Sequence, residues 1–243
     1  MHPQPANYAG KYFEDGGQLY LVYAKRVSAA LPNNGIVAQR MLSPVQPAAS
    51  GPVTLLAPSV VNGGYNSEYF VEFHPKPGSF KLTETGNVTR VGNKYVMAYS
   101  TGAYNRPDYK IGIAWSDTFL PRSDQTYTKV LKVDTAGAWG VAGHDEVEYL
   151  LQSQVRAWPH YVRDQVIAPG VPSILQDNAG SWELFFAGYA PGDAPVSART
   201  GNFDATHRRP YFIPINIDIP PGASVSSTSP FALENWLTPR YAS

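Results

Sequence analysis

Cysteine is absent from the 243 residues of this chain, which excludes disulfides, thiol catalysis and cysteine-ligated zinc. Neither charge is in excess, because 19 basic residues balance 19 acidic ones, and no run of lysine or arginine stands out. We therefore expect neither nucleic acid nor an anionic membrane as a partner. No apolar run reaches membrane-spanning length, and the first residues lack the basic and apolar regions of a secretion signal.

Motifs for a nucleophile elbow, a phosphate-binding loop or a zinc site are also lacking, so we predict no cofactor and no metal. No segment has the pattern of an amphipathic helix. The chain is rich instead in proline (22), glycine (21) and tyrosine (16), a composition that suits many short strands joined by tight turns. With 43% hydrophobic and 16% charged residues, it is typical of a globular protein. The prediction is an all-β fold in one domain over residues 1–243.

Residues 83–121 form the stretch around which the chain is organised. Two runs rich in valine, isoleucine, tyrosine and tryptophan, 88–100 and 109–116, are bounded by turn-forming residues and predict consecutive antiparallel strands. The loop between them carries Tyr104 and Arg106. Loops on a rigid sheet are common ligand sites, so this loop is a candidate binding site.

A repeat connects this stretch with two others. Gly17, Asn93 and Gly180 are each followed by large apolar residues at every second position. Two residues after these turn positions stand Leu19, Tyr95 and Trp182; four residues after them stand Leu21, Met97 and Leu184; and six residues after them stand Tyr23, Tyr99 and Phe186. Such alternation predicts one buried face on each strand. Turn-then-alternation hairpins also occur in any antiparallel sheet, and this remains the competing explanation of the pattern.

The repeat divides the chain into blade-like units over about residues 8–60, 80–133 and 166–220, followed by a peripheral tail over 221–243. Four further segments are strand candidates. Residues 146–154 could be a strand or a short helix, and we favour the strand; the others are residues 69–73, 127–133 and 211–219. The prolines of the last segment indicate an edge strand, because proline cannot donate to a sheet.

The chain resembles the family 43 glycoside hydrolases, five-bladed β-propellers that act on polysaccharides containing arabinose and xylose. Residues 84–86 (ETG), 92–100 (GNKYVMAYS) and 109–116 (YKIGIAWS) are similar to the blade that carries the catalytic acid in that family. The resemblance spans about residues 8 to 220. It implies a β-propeller of which about three blades are present, as an incomplete ring. It also implies a secreted, monomeric carbohydrate-active protein.

The resemblance further implies an inverting mechanism with Glu84 as the general acid, near the position of the family's acid. The aspartate that tunes this acid would precede Gly10, where the chain has Ala9. The family's last-blade histidine falls on Val171. The general base would lie in a first blade that the chain does not contain. A non-catalytic carbohydrate-binding propeller is therefore the alternative prediction.

Other residues compete for a place in the site. Tyr104, Arg106 and Arg208 are candidates for substrate binding, because an aromatic ring stacks on a sugar and a guanidinium donates hydrogen bonds to it. An ordinary solvated loop is the alternative for the first two, and an ordinary surface pair for Arg208 and Arg209. Further candidates, which we regard as weaker, are Glu72, the cluster His144, Asp145 and Glu146, and the isolated His74, His160 and His207. Adjacent residues on a strand point to opposite faces, so the cluster is a poor metal site.

Overall fold

A computed structural model of the chain describes residues 7–27, 33–58, 81–106, 109–123, 125–129, 149–153, 166–190, 203–217 and 237–239. These residues form antiparallel strands and a single turn of 3-10 helix, Ala205–His207. The all-β prediction is confirmed. Within the described ranges, no helix is long and apolar enough to cross a membrane.

The described strands belong to three antiparallel sheets. Sheet 1 contains β1 (Tyr8–Asp15), β2 (Gln18–Arg26), β3 (Asn34–Ser43), β4 (Gln46–Pro47) and β5 (Val53–Leu56). Sheet 2 contains β6 (Thr83–Val91), β7 (Lys94–Thr101), β8 (Lys110–Ser116), β9 (Thr128–Lys129) and β10 (Tyr149–Gln152). Sheet 3 contains β11 (Ile167–Gln176), β12 (Trp182–Tyr189), β13 (Arg209–Ile217) and β14 (Leu237–Pro239).

The strands of each sheet are arranged in the same way, in chain order from one edge to the other. Four strands follow one another as β1-β2-β3-β4, β6-β7-β8-β10 and β11-β12-β13-β14, while β5 and β9 pair additionally with β3 and β8. The predicted strand within 146–154 is confirmed as β10, and it extends sheet 2 beyond the predicted end of that unit. The tail contributes β14, the outermost strand of sheet 3. The predicted strand over 69–73 lies outside the described residues.

The prolines of β13 limit where a strand can pair on its outer side. Pro210 and Pro214 pair with residues of β12, whereas β14 pairs only with residues 215–217 of β13. Along the described residues, β14 therefore begins after the last proline, where backbone N–H groups are available again. The predicted edge character holds for the part of β13 that contains both prolines.

In each sheet the repeat residues lie on one face, which we call the leading face. In sheet 2 this face, with Met97 and Tyr99, packs against Val22 and Ile36 of sheet 1. In sheet 3 it packs against sheet 2, with Leu184 in contact with the same cluster as Val96. The sheets therefore stack face to face in chain order, and the predicted buried face is confirmed for sheets 2 and 3.

Sheet 1 differs because its leading face lines an open cavity. The cavity has a volume of about 470 Å³ and includes Leu21, Tyr23 and Tyr12 in its walls. Tyr12 is 55% exposed. The prediction of one buried face per strand therefore holds only in part for sheet 1. By contrast, every residue of β7 and β8 is buried, since sheet 2 is covered on both faces.

The first strands of the three sheets are β1, β6 and β11, and we call them the inner strands; β6 contacts both of the others. Lys11 Nζ donates to Pro172 O at 2.6 Å and to Ser173 Oγ at 3.0 Å, joining sheet 1 directly to sheet 3. The amide N–H of Ile174 donates to Asn87 Oδ1 at 2.8 Å, joining sheet 3 to sheet 2. Hydrogen bonds between sheets thus supplement their apolar packing.

Each inner strand contains a bulge where a residue other than glycine has a left-handed backbone. The residues are Ala9, Thr85, Ala168 and Val171, with φ between 52° and 57°. The pairing register shifts beside each of them. A left-handed conformation costs an ordinary residue roughly 1 kcal/mol, so four occurrences on three strands mark a local geometry that the surrounding packing maintains.

Candidate functional site

Glu84 lies on the inner strand of sheet 2, next to the left-handed Thr85 and paired with Ser100 of β7. Its side chain is only 7% exposed. The hydroxyl of Tyr109 donates to Glu84 Oε1 at 2.5 Å, and the hydroxyl of Tyr8 lies close enough to this carboxyl group to lower its pKa. The carboxyl group is therefore hydrogen-bonded to one phenol and close to a second.

Burial dominates the acidity of Glu84. Desolvation raises the pKa of Glu84, while the phenols of Tyr109 and Tyr8 and the charge of Arg208 lower it without cancelling the rise. A raised pKa keeps a carboxyl group protonated to a higher pH than in water. Glu84 therefore has the property that a general acid requires.

Tyr109 lies beside a hydrogen-bond network that joins sheets 2 and 3. Ser100 Oγ accepts from Thr85 Oγ1 at 2.7 Å and from the Val171 amide at 2.8 Å, and Ser100 lies close enough to the Tyr109 hydroxyl to lower its pKa. Tyr109 is 1% exposed. Desolvation by burial, strengthened by the charge of Glu84, raises the pKa of Tyr109 well above its ordinary value, so it remains a neutral donor.

Gly170 provides the space that the Tyr109 ring occupies. A Cβ atom at Gly170 would lie 1.9 Å from Tyr109 Cε1, closer than any real contact. Gly170 pairs with Ala187 as Glu84 pairs with Ser100 and as Tyr8 pairs with Ala24. The three sheets thus place a phenol, a carboxyl group and a glycine at corresponding positions of their inner strands.

Arg208 joins the loop of sheet 2 to sheet 3. Its guanidinium donates to the carbonyl oxygens of Tyr104, Ala168 and Ala187 at 2.6, 3.0 and 2.6 Å. The same group lies 5.2 Å from the ring centroids of both Tyr109 and Tyr189. The structure therefore brings Arg208 into the surroundings of Glu84, with its donors directed at backbone carbonyls.

The two loop candidates lie close to Arg208 in different ways. The Tyr104 ring is 46% exposed, while its carbonyl accepts from Arg208. Arg106 helps to shape the loop through its backbone, which donates to Ala103 O at 2.9 Å and accepts from the Tyr109 amide at 3.3 Å. The loop therefore presents one exposed aromatic residue, and its backbone contacts Arg208, whose charge acts on Glu84.

Of the remaining candidates, the two that the structure describes are not brought to this place. Arg209 begins β13 with an exposed side chain, and His207 ends the exposed 3-10 turn. Glu72, His74, the cluster His144, Asp145 and Glu146, and His160 lie outside the described residues. Within the described part of the chain, no three histidine or carboxylate side chains form a group that could hold a metal ion.

Sequence reasoning missed Tyr8, Tyr109 and Gly170 as parts of the site. A signal for Tyr8 existed, since Tyr8 precedes Ala24 by the same number of residues as Glu84 precedes Ser100. Tyr109 was recognised only as the start of a strand. The contact between Gly170 and Tyr109 joins different sheets, and no local pattern indicates it.

Three solved structures share this fold. An α-L-arabinofuranosidase from Lactobacillus brevis is 16% identical, with a TM-score of 0.58 over 93% of this chain and 57% of that chain. An endo-1,4-beta-xylanase from Bacteroides thetaiotaomicron is 16% identical, with a TM-score of 0.58 over 99% of this chain and 61% of that chain. A thermostable family-43 glycoside hydrolase is 18% identical, with a TM-score of 0.56 over 100% of this chain and 64% of that chain.

The similarity shows the fold. The three sheets have the arrangement found in the family 43 β-propellers, as the resemblance in the sequence predicted. The chain spans 57% to 64% of the length of these three structures. Neither a protein-family model nor a curated protein matches the sequence.

Proposed function

We propose that this chain is a glycoside hydrolase that cleaves O-glycosyl bonds in plant polysaccharides containing arabinose or xylose, with Glu84 as its general acid. The observation that carries the proposal is a carboxyl group on an inner strand that is 7% exposed and accepts a hydrogen bond from the buried phenol of Tyr109. It stands in a fold shared with an arabinofuranosidase and a xylanase, and those two names suggest the sugars.

The chemistry follows from the environment of Glu84. An inverting glycosidase needs an acid that is protonated near neutral pH, so that it can donate to the leaving oxygen while water attacks from the opposite face. Burial raises the pKa of Glu84 in the required direction. Among the described residues, the side chains that shift this pKa include no second carboxylate. We therefore assign the general acid and no general base.

Tyr104 is the residue that we place against the sugar. Tyr104 is 46% exposed, its carbonyl accepts from Arg208, and aromatic faces stack well on sugar rings. The guanidinium of Arg208 donates to three backbone carbonyls, so its contribution to binding would be to hold this loop in place. Tyr104→Ala should then raise KM with little change in kcat.

The test compares Glu84→Gln with wild type on aryl α-L-arabinofuranosides and β-D-xylosides. Loss of a general acid lowers the rate by roughly 10²- to 10⁴-fold. The loss should be larger for phenyl than for 4-nitrophenyl glycosides, since 4-nitrophenolate leaves without protonation. Glu14→Gln is the matched control, because Glu14 is exposed on β1. Equal activity of wild type and Glu84→Gln on the phenyl glycosides would remove Glu84 from the mechanism.

A carbohydrate-binding propeller without catalysis is the second candidate. It is favoured by Ala9, which stands where the resemblance implies an aspartate, and by the neutral phenols that surround Glu84 in place of a second acid. Calorimetry with arabino- and xylo-oligosaccharides separates the two functions. Binding without any release of sugar from wild-type protein would support the binding module and contradict the hydrolase.

A further inference from the structure

We propose that Tyr109 is a positioning residue for Glu84, and that residues of sheet 3 and its connections fix the Tyr109 ring so that its hydroxyl meets the carboxyl group. The proposal deepens the function proposed above and rests on the acid role of Glu84. It gives Tyr109 a role that sequence reasoning did not assign. The acid of sheet 2 is then oriented by a side chain that sheet 3 holds in place.

The contact between Tyr109 and Glu84 crosses a whole strand. Glu84 lies on β6, Tyr109 immediately precedes β8, and β7 runs between these two strands. The Tyr109 hydroxyl nevertheless donates to Glu84 Oε1 at 2.5 Å, and the two residues are 1% and 7% exposed. A short hydrogen bond between buried groups fixes their relative orientation. The direction of the carboxyl group therefore depends on where the Tyr109 ring lies.

The Tyr109 ring lies directly against the backbone of sheet 3. A Cβ atom at Gly170 of β11 would lie between 1.9 and 2.7 Å from three atoms of this ring, Cε1, Cδ1 and Cζ. Tyr109 also belongs to a buried apolar cluster whose other members follow sheet 2 in the chain, namely Ala168, Tyr189 and Phe203. The ring is therefore enclosed by residues of sheet 3 and its connections.

Arg208 is a second support for the ring. The centre of its guanidinium lies 5.2 Å from the ring centroid of Tyr109 and 5.2 Å from that of Tyr189, within the range of a cation–π interaction. Three backbone carbonyls fix the guanidinium; they belong to Tyr104, Ala168 and Ala187. A cation held by backbone atoms of two sheets therefore keeps the Tyr109 ring in its position.

The pKa of Glu84 reports the position of the Tyr109 hydroxyl. Desolvation by burial raises this pKa, and among the described residues Tyr109, Tyr8 and Arg208 lower it. Burial raises the pKa of Tyr109 well above its ordinary value, so its hydroxyl keeps its proton while Glu84 titrates. A hydrogen bond to the ionised form lowers the pKa of a carboxyl group. Loss of this bond should therefore raise the pKa of Glu84.

The test follows the Glu84 carboxyl carbon by NMR in protein labelled with ¹³C-glutamate, with Glu84→Gln to assign the signal. Tyr109→Phe keeps the ring and removes the donor, so the midpoint of the titration should move to higher pH. Tyr127→Phe is the matched control, because Tyr127 is also buried and its hydroxyl donates to Phe119 O at 2.9 Å. Its midpoint should equal that of wild type. An unchanged midpoint in folded Tyr109→Phe would overturn the proposal.

Two further variants test how the ring is held. Gly170→Ala displaces the ring, and Arg208→Lys keeps the positive charge but loses the planar set of donors. Each should shift the Glu84 midpoint in a protein that circular dichroism shows to be folded. Neither should add to the shift of Tyr109→Phe when combined with it, because residues that act through one contact are not additive. Fully additive shifts in both combinations would contradict the support by sheet 3.

Kinetics add a separate readout. In Tyr109→Phe, kcat should fall by up to about 100-fold from lost alignment with little change in KM, and the alkaline limb of the pH profile should move to higher pH. The NMR titration needs no turnover. Inactive wild-type protein with a shifted midpoint in Tyr109→Phe would contradict the hydrolase and still support the position of Tyr109. Active wild-type protein with an unshifted midpoint would contradict Tyr109 alone.

Discussion

Sheets 1 and 2 carry the same alternation on their second strands but differ in how much of it is covered. Met97 of β7 and Leu21 of β2 occupy corresponding positions, and Met97 is 0% exposed whereas Leu21 lines the open cavity. The alternation tells which residues share a face. It does not tell what lies on that face, which depends on the sheets on either side.

Sheet 3 shows the reverse arrangement. Its leading face packs against sheet 2, while its opposite face presents Phe185 and Phe212, stacked at 5.7 Å and exposed to 38% and 62%. Within the described residues, the first and last sheets thus each have one covered and one open face. The middle sheet is therefore expected to contribute the most stability per apolar side chain.

The largest effect expected from this comparison is that of Met97→Ala. Removal of a fully buried side chain that packs against sheet 1 should lower the free energy of unfolding by about 2–5 kcal/mol. Leu21→Ala, at the corresponding position of sheet 1, should lower it by about 1 kcal/mol or less, because part of this side chain is already in contact with water. Urea denaturation measures both, and equal losses would contradict the assignment of open and covered faces.

A smaller effect is expected at the inner strands. Gly170→Ala places a methyl group against the Tyr109 ring, and overpacking of this kind lowers the free energy of unfolding by about 1–3 kcal/mol. Displacement of the ring should also lower the activity that depends on Glu84. Gly10→Ala is the control, since its Cβ would meet only the flexible end of Leu21 at 3.1 Å. A tolerated alanine at Gly170 would show that Tyr109 is free to move.

The smallest effect is a dependence of stability on pH. Because the pKa of Glu84 is raised on folding, the folded state holds this proton more tightly than the unfolded state. Stability is then lost as the pH rises from the ordinary value of 4.5 through the folded pKa. Glu84→Gln should remove this loss, so the variant should gain stability relative to wild type as the pH approaches 7. A constant difference from pH 4 to pH 7 would contradict the raised pKa.

Much of the fold could be predicted from local patterns. Turn residues followed by alternating apolar residues located β2, β7 and β12, since a hairpin is decided by neighbours in the chain. The predicted acid was placed by resemblance, and the structure puts Glu84 in a buried position beside two phenols. The partners of Glu84 could not be predicted in the same way. Tyr8 and Arg208 come from the units of the other two sheets, Tyr109 lies before β8, and their contacts depend on register shifts at the bulges.

Arg208 is a residue whose type could be interpreted from the sequence but whose hydrogen-bond partners could not. Sequence reasoning selected it as a basic residue that could meet a sugar, and the structure places it near Glu84 with donors on three carbonyls. A guanidinium has five donors in a fixed plane, and which acceptors surround it is decided by three separate segments. The residue type indicated hydrogen bonding, and only the assembled chain could identify the acceptors.

The hydrogen bond from Lys11 to Pro172 has a consequence for biosynthesis. The two residues are 161 positions apart in the chain, so the ribosome must synthesise the whole stretch between them before this amine can reach its acceptor. Contacts between such distant residues form late, because a long loop must close first. During translation, β1 therefore makes this contact only after β11 has emerged from the ribosome.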